Sequence, residues 1–499
     1  WRLSSVKLEN KRLQQTDRGI EMSAPLDVNP SASDIPTVVK QLREVFLSGR
    51  TRDLEWRRGQ LKQLLLLVKE NSNEIQAAVQ KDLGKGHPFE ARVTEVVLVK
   101  RDIEEALSHL DEWAEPDRVS TPLALQPGAS SIRPTPLGVV LIMSPWNYPV
   151  NLALVPLVGS IAAGNTCFLK LSRHTQSVAE LLTSILPKYM DMTALKVDGK
   201  GGRDFITSLL QPKYDHIFFT GSTSVGKVVY KAAAEHLTPV TLELGGKNPC
   251  YVDKSVSMEF AARKVAFGKF FNGGQTCVAV DHCLVHEEVY DKFLDEFKKV
   301  ITSFYTSDPK SSPSLARMVS VGNAKRLQRL MGKEYGRVVY GGDADPDQKY
   351  VGPTLIVEPN MESELMQDEI FGPLLPVLKV KDVDEAIAFI QPRPLPLALY
   401  VMSRDDKVKE KVISNTRSGA VGVNECVVHF SNPNLPFGGV GESGMGAYHG
   451  KRTFDTFSHC RAVLSQPGVK LVDLWAKYPP YDSDSIKYPL AKFATGLHF

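Results

Sequence analysis

The sequence predicts an α/β protein built from two successive sets of strands and helices, and three observations carry that prediction. From Leu137 onward, short β-branched or apolar runs alternate with helical stretches, the pattern of a parallel sheet covered by helices on both faces. A second alternation of the same kind starts near Met258. At roughly 100–200 residues per domain, a chain of 499 residues, 42% hydrophobic and 23% charged, is long enough for several cores and has an ordinary globular composition.

The elements follow in order. Trp1 to Pro30 is mildly basic with no apolar signal core, so it reads as a disordered tail, with a residual transit segment as the alternative. Ile35 to Lys81 places apolar residues at helical spacing (Val38, Leu42, Val45, Phe46), and a second amphipathic helix is expected from Glu90 to Trp113. The uncharged stretch Pro134–Leu169 is interrupted by five prolines and three asparagines. It therefore reads as a strand, a turn and a buried helix, and no membrane span is expected. Strands are predicted at Leu137–Ile142, Thr166–Lys170, Leu195–Val197, His216–Phe219 and Val240–Glu243. Helices are predicted near Val150–Ala162, Thr175–Leu186, Asp204–Leu210 and Ser224–His236. The second set has helices near Met258–Phe271 and Glu288–Phe304, a strand at His282–Val285 and further strands up to Ala420–Val423. Gly-rich Leu435–Gly446 separates it from a polar tail that holds Tyr478-Pro479-Pro480-Tyr481.

Sixty Lys+Arg against fifty-seven Asp+Glu are interspersed, without the basic run expected of a nucleic-acid binder. The six cysteines include no CxxC pair, which argues against a disulfide scaffold, a zinc site or a thioredoxin-type centre. No metal site is expected, and a reducing, cytoplasmic setting fits best. An organelle such as a plastid, after removal of a transit peptide, is the alternative.

Five short motifs carry candidate chemistry, each beside a plainer reading. Gly439-Val440-Gly441-Glu442-Ser443-Gly444 matches a dinucleotide fingerprint but follows a Pro-rich loop, not a strand, so it reads as a glycine loop. Gly221-Ser222-Thr223-Ser224-Val225-Gly226-Lys227-Val228 is nearly a P-loop, yet Val228 stands where Mg²⁺ needs a hydroxyl. What survives is a strand, a glycine turn and a helix start, either a cradle for phosphate or an ordinary strand-to-helix turn. Cys277 follows the flexible turn Asn272-Gly273-Gly274-Gln275-Thr276, where backbone N–H groups can activate a thiol and hold an oxyanion. A structural cysteine is the competing reading. Glu243 lies in the apolar strand Thr241-Leu242-Glu243-Leu244-Gly245-Gly246 and is either a desolvated general base or an exposed edge-strand acid. Asn147, in Ser144-Pro145-Trp146-Asn147-Tyr148-Pro149, is either an oxyanion donor or a turn asparagine.

Together these residues resemble the aldehyde dehydrogenase superfamily, and its class 3, fatty-aldehyde-type branch in particular. The resemblance runs from about Ser48 to Tyr481 and rests on Pro145–Pro149, Phe219-Thr220-Gly221-Ser222, Leu242–Lys247, Gly274–Cys277, Glu369-Ile370-Phe371-Gly372-Pro373 and Leu435–Gly439. Gly444-Met445-Gly446-Ala447-Tyr448-His449-Gly450-Lys451 resembles class 3 specifically. It implies the aldehyde dehydrogenase fold: an N-terminal tail (1–34), a Rossmann-like dinucleotide-binding domain (35–114 and 134–241) and an α/β catalytic domain (242–425). It also implies a small β oligomerisation element (115–133 and 455–466) serving a homodimer, a glycine-rich loop region (426–454) and a C-terminal tail (467–499).

The implied chemistry is oxidation of an aldehyde to a carboxylic acid. Cys277 would attack the carbonyl carbon while Asn147 and the Cys277 N–H hold the oxyanion, and Glu243 would activate the water that hydrolyses the thioester. Among cofactor residues, Glu369 would hold the nicotinamide ribose, with Trp146 and Phe371 nearby. Lys170 would hold the adenosine ribose, and Gly221, Ser222 and Gly226 would lie near the pyrophosphate. Members that favour NAD often carry Lys-Pro-Ser-Glu where this chain reads Lys170-Leu171-Ser172-Arg173. An arginine can bind a 2′-phosphate that a glutamate would repel, so Arg173, with Arg203, predicts a preference for NADP, with NAD as the alternative. On the substrate side, the helix Thr94–Leu107 would line the channel mouth. Lys100 and Arg101 on it would receive the carboxylate of an acid-semialdehyde such as succinic semialdehyde, or stand as solvated charges beside a medium-chain or aromatic aldehyde. A CoA-acylating enzyme has no need of Glu243, and a non-catalytic dinucleotide-binding relative no need of Cys277, Glu243 and Asn147 together.

Overall fold

The computed structural model describes residues 28–84 and 87–468. The expectations for most of the N-terminal tail and for the C-terminal tail from residue 469, with the Tyr478–Tyr481 motif, lie outside them. Strands are numbered here in chain order. A three-stranded antiparallel sheet joins β1 (Asp117–Val119), β2 (Ala129–Pro136) and β18 (Ser458–Ser465). The first large sheet contains β3 (Val139–Met143), β4 (Thr166–Lys170), β5 (Leu195–Asp198), β6 (His216–Gly221), β7 (Val240–Leu244) and the short β17 (Gly444–Met445). Its order is β17-β7-β6-β3-β4-β5, parallel except for β17. The chain runs outward from β3 through β4 to β5, then returns to place β6 and β7 on the other side. That reversal between β3 and β6 is the switch point of a doubly wound, Rossmann-like sheet.

The second large sheet has seven strands: β8 (Pro249–Val252), β9 (His282–His286), β10 (Arg337–Tyr340), β13 (Thr354–Val357), β14 (Leu374–Val380), β15 (Ala398–Met402) and β16 (Ala420–Val423). Its order is β10-β13-β14-β9-β8-β15-β16, with only β10 antiparallel. A two-stranded ribbon pairs β11 (Ala344–Asp345) with β12 (Tyr350–Val351).

Strand periodicity sets the layers. On β3, Val139, Leu141 and Met143 pack with Ile35, Val38 and Leu42 of the helix Ile35–Leu47. Val140 and Ile142 point the other way, into the core that holds the helix Asn151–Ala163. From Leu152 to Ala163 every residue of that helix is buried, because the helices Leu54–Glu70, Leu98–Ala114 and Lys451–Thr456 cover the sides the sheet leaves open. An apolar face all round is thus explained by burial within protein. No helix of the described residues is long and apolar enough to cross a membrane.

Three expectations change. The helix expected over Glu90–Trp113 is divided into Pro88–Ala91, a π-helical segment Arg92–Val97 and Leu98–Ala114. The border expected between 241 and 242 falls inside β7, which pairs with β6 as far as Leu244. The small antiparallel sheet reaches to Pro136 along β2, past the expected limit at 133.

Candidate active site

The C-terminal ends of β3, β4 and β6 open on a cavity at the switch point. Its lining includes Lys170, Arg173, His174 and Arg203 and no acidic side chain. Lys170 is buried, 3.2 Å from Asp198 Oδ2, and donates to the Leu171 carbonyl at 2.6 Å. Of its three ammonium donors, one is thus left for a ligand. The Arg173 guanidinium reaches across to Gly202, where a Cβ would meet its Nη1 at 3.1 Å, so the two sequence-predicted arginines share one wall. Gly221 ends β6, and Ser222 caps the helix Thr223–Ala234 by accepting from Val225 N–H at 3.4 Å. A Cβ at Gly226 would meet the Leu244 side chain at 2.7 Å, so this glycine allows the helix to lie against β7. Trp146 and Phe371 meet edge to face, with ring centroids 5.2 Å apart. A basic cavity at the switch point of a parallel sheet fits a dinucleotide, with cations placed for an additional phosphate.

The loop that leads into Cys277 is fixed from several sides. Asn272 (φ +56°) and Gly273 (φ +62°) turn the chain left-handed after the helix Met258–Phe270. Gly274 (φ +74°) lies so close to the Gly372 carbonyl that a Cβ would sit 2.3 Å from its oxygen, which demands glycine. Asn272 Nδ2 donates to the Asn147 carbonyl at 2.9 Å and to the Gln275 carbonyl at 3.1 Å. Gln275 ties the loop to Arg317 O and Val319 N, and the hydroxyls of Tyr148 and Thr276 lie 2.7 Å apart. Asn248 donates to the carbonyls of Cys277 (2.7 Å) and Ala279 (2.9 Å), while its own oxygen accepts from Ala398 N–H at 2.9 Å. Asn147 is buried, and its side-chain amide forms no hydrogen bond with any described residue.

Three acidic groups converge here. Burial pushes the Cys277 thiol up to about 12, and the carboxylates of Glu369 and Glu243 add to that, while the N–H groups of Cys277 and Val278 pull the other way. Glu243 lies on β7 between β6 and β17 and is 3% exposed, with neither carboxylate oxygen partnered. Burial alone raises it well above the ordinary carboxylate range. The reading of Glu243 as an exposed edge-strand acid is thereby overturned: Gly444-Met445 pairs antiparallel with Glu243-Leu242 and closes the sheet edge. Only a glycine fits at 444 (φ +138°), since a Cβ would fall 2.0 Å from the Leu242 carbonyl oxygen. Glu369 packs on Gly245, accepts from Gly246 N–H and is raised to about 8 by burial and by Asp281.

Cys277 opens on a cavity lined by Thr94, Leu98, Tyr148, Asn151, Leu152, Thr276, Val278, Phe430, Phe437, Tyr448 and His449. Its only ionisable member besides Cys277 and the two tyrosines is His449, held neutral by burial and by Arg101, down to about 3. Thr94 and Leu98 come from the helical segment expected at the channel mouth. Lys100 and Arg101 do not line the cavity. Lys100 lies 3.6 Å from Glu104, and Arg101 donates to the Ser431 carbonyl. The aromatic wall was not foreseen, because its residues are gathered from segments far apart in sequence.

Of the other cysteines, Cys167, Cys250, Cys283 and Cys426 are buried and Cys460 is exposed. Among the described residues no cluster of His, Cys, Asp or Glu is arranged to hold a metal ion.

Comparison with known proteins agrees with this arrangement. The aldehyde dehydrogenase family model matches residues 28–463. Aldehyde dehydrogenase family 3 comG of Dictyostelium discoideum is 50% identical over 453 residues, covering 90% of this chain and 96% of that protein. A Canis lupus familiaris aldehyde dehydrogenase named as dimeric and NADP-preferring is 44% identical, covering 90% and 98%. The substrate-bound AldH of Staphylococcus aureus superposes with a TM-score of 0.88 at 40% identity, covering 92% of this chain and 99% of that one. The chain therefore belongs to the aldehyde dehydrogenase family, in its family 3 branch, and is an NAD(P)⁺-dependent oxidoreductase of aldehydes.

Proposed function

We propose that this enzyme oxidises apolar aldehydes, medium-chain aliphatic or aromatic, to carboxylic acids, with NADP⁺ preferred over NAD⁺. The observation that carries the substrate class is the uncharged, aromatic-walled cavity at Cys277. An acid-semialdehyde would have to leave its carboxylate there without a cationic partner, at a cost of roughly several kcal/mol. Arg173 and Arg203 in the basic cavity support the cofactor preference, as does the NADP-preferring name of the 44% identical canine relative.

Cys277 is the nucleophile: its Sγ bonds to the aldehyde carbon as the thiol proton leaves, and Glu243 is the carboxylate placed to take that proton. Asn147 Nδ2 and the Cys277 N–H hold the oxygen on which charge develops. The dinucleotide, when bound, accepts the hydride that leaves the carbon attached to Sγ. Glu243 then removes a proton from the water that attacks the thioester, and the acid departs as Cys277 recovers its proton. Lys170, Glu369, Arg173 and Arg203 hold the dinucleotide, with Gly221 and Ser222 beside its phosphates and Trp146 and Phe371 near its nicotinamide end.

Absorbance of reduced nicotinamide tests the whole reading. Nonanal, hexanal and benzaldehyde should turn over with NADP⁺, and succinic semialdehyde only poorly. In Arg173→Glu the NADP⁺ KM should rise by about tenfold or more, with the NAD⁺ KM unchanged or lower. Succinic semialdehyde as the best substrate would refute the substrate class, and an unchanged NADP⁺ KM in Arg173→Glu would refute the cofactor argument.

A further inference from the structure

We propose that Arg101 is a latch on the aldehyde cavity: by holding the Ser431 carbonyl it fixes the wall that carries Phe430, and thereby sets how well long apolar chains fit. The inference rests on the apolar-aldehyde reading above.

The latch joins two walls. Leu98 and Thr94 belong to one side of the cavity, and Arg101 lies less than a turn beyond Leu98 on the helix Leu98–Ala114. Its guanidinium crosses to the turn Val428–Ser431, which contains Phe430. All other hydrogen bonds of residues 428–436 with described residues stay inside 426–436: Val428 to Cys426, Phe430 to Val427, Asn432 to His429, Leu435 to Asn432, and the side-chain bonds of Ser431 and Asn432. Arg101 is therefore the one hydrogen-bonded tie, among the described residues, between this wall segment and the rest of the molecule.

The segment needs such a tie. Val427 is buried with φ +68° and ψ −51°, and Val428 N–H donates back to Cys426 O at 2.7 Å. That is a classic γ-turn, rare and strained, and more so around a β-branched residue. His449, on the same side of the cavity, is also left-handed at φ +86°. Conformations of this kind persist where their surroundings over-determine them. The Phe437–Tyr448 backbone pair fixes the far end of the segment, and Arg101 fixes the near end.

The charged groups around the guanidinium leave it for this task. Asp102 Oδ1 lies 3.8 Å away, too far for a hydrogen bond, and Arg101 Nε is buried without a partner. Arg101 does not line the cavity, so it acts as a positioning residue and not as a contact to substrate.

The test measures kcat and KM with NADP⁺ for n-alkanals from propanal to decanal, in the wild type and in Arg101→Met and Arg101→Lys. In Arg101→Met the KM for nonanal and decanal should rise by about tenfold, the scale on which an apolar pocket discriminates chains. The KM for propanal and every kcat should stay within about twofold, since the bond acts through shape and not through the reacting atoms. Arg101→Lys, which keeps a charged donor, should recover part of the lost discrimination. Iodoacetamide should alkylate Cys277 at the same rate in all three proteins, a readout independent of cofactor. An equal loss at every chain length, or no change in chain-length dependence, would overturn the latch. Arg101→Gln carries the same prediction should Arg101→Met lack a cooperative unfolding transition. Wild-type enzyme that turned over no alkanal would refute the apolar-aldehyde reading instead, and the latch would then be read from protection of Cys277 against iodoacetamide by nonanal relative to propanal.

Discussion

Glu243 shows at the scale of one residue how a site stores reactivity. Both carboxylate oxygens lack partners inside a buried strand, so the protonated form is favoured and the ionised form, once made, is a strong base. The same imbalance sets a pH dependence of stability. Its folded affinity for protons is raised by burial, so the native state keeps a proton that the unfolded chain has already lost above the ordinary carboxylate range. The protein therefore loses stability from this group as pH rises through and beyond that range, and nothing from it at lower pH. Glu243→Gln, of the same shape and always neutral, should raise the melting temperature at pH 8 and leave it nearly unchanged at pH 4, as scanning calorimetry would register. An equal shift at both pH values would contradict the assignment of burial as the cause. Cys277, Glu243 and Asn147 stand out in the sequence because each sits in a short contiguous motif, and the structure buries Asn147 and Glu243. The Arg101 contact could not be read from sequence for the converse reason, since helical spacing does not reveal that a long side chain is spent on a carbonyl 330 residues away.

At the scale of elements, the loop at Cys277 depends on side-chain amides that hold backbone turns. Asn248, just ahead of β8, spends its amide hydrogens on the carbonyls of Cys277 and Ala279 and its oxygen on Ala398 N–H. Removing it leaves buried backbone groups unpaired, at about 1–3 kcal/mol each, and frees a loop whose geometry must hold to within about an ångström. Asn248→Ala should lower kcat by about 100-fold with a smaller effect on aldehyde KM, and should lower the melting temperature. The strand and helix succession of the first sheet was legible, since apolar alternation and turn residues mark each element. The π-helical segment Arg92–Val97 was not, because the apolar spacing Val93, Val96, Val97 also suits an ordinary helix. Its setting is tertiary: Glu95 in this segment accepts from the N–H groups of Val150 and Asn151 at 3.1 and 2.8 Å, holding the segment to the start of the helix Asn151–Ala163.

For the molecule as a whole, the small antiparallel sheet projects apolar side chains to solvent: Val119, Ile132 and Leu464 are 40%, 37% and 49% exposed. An exposed three-stranded sheet bearing such residues is suited to association. We expect a homodimer through this sheet. Light scattering should give a dimer for the wild type and a monomer for Ile132→Asp combined with Leu464→Lys, whereas an unchanged mass would place the interface elsewhere. The doubly wound order of the first sheet sets the basic cavity and the strand of Glu243 in the same half of the molecule. The switch point opens at the C-terminal ends of β3 and β6, and the strand that carries Glu243 is the next one outward. Sheet order and the gathering of the aldehyde cavity from residues 94–98, 148–152, 276–278 and 430–449 were beyond the sequence, because both depend on long-range packing.

Oxidation as proposed proceeds through an acyl group on Cys277 that Glu243 helps to release. Mass spectrometry of Glu243→Gln, quenched in acid after incubation with NADP⁺ and nonanal and digested with protease, measures this directly. Solvent hydroxide can slowly replace Glu243 as acceptor of the Cys277 proton but not as the positioned base for hydrolysis, so over prolonged incubation one nonanoyl group should accumulate on the peptide that carries Cys277, formed together with reduced nicotinamide and absent in Cys277→Ser. Reduced nicotinamide formed with no acyl group on that peptide, or with the group on another residue, would contradict it.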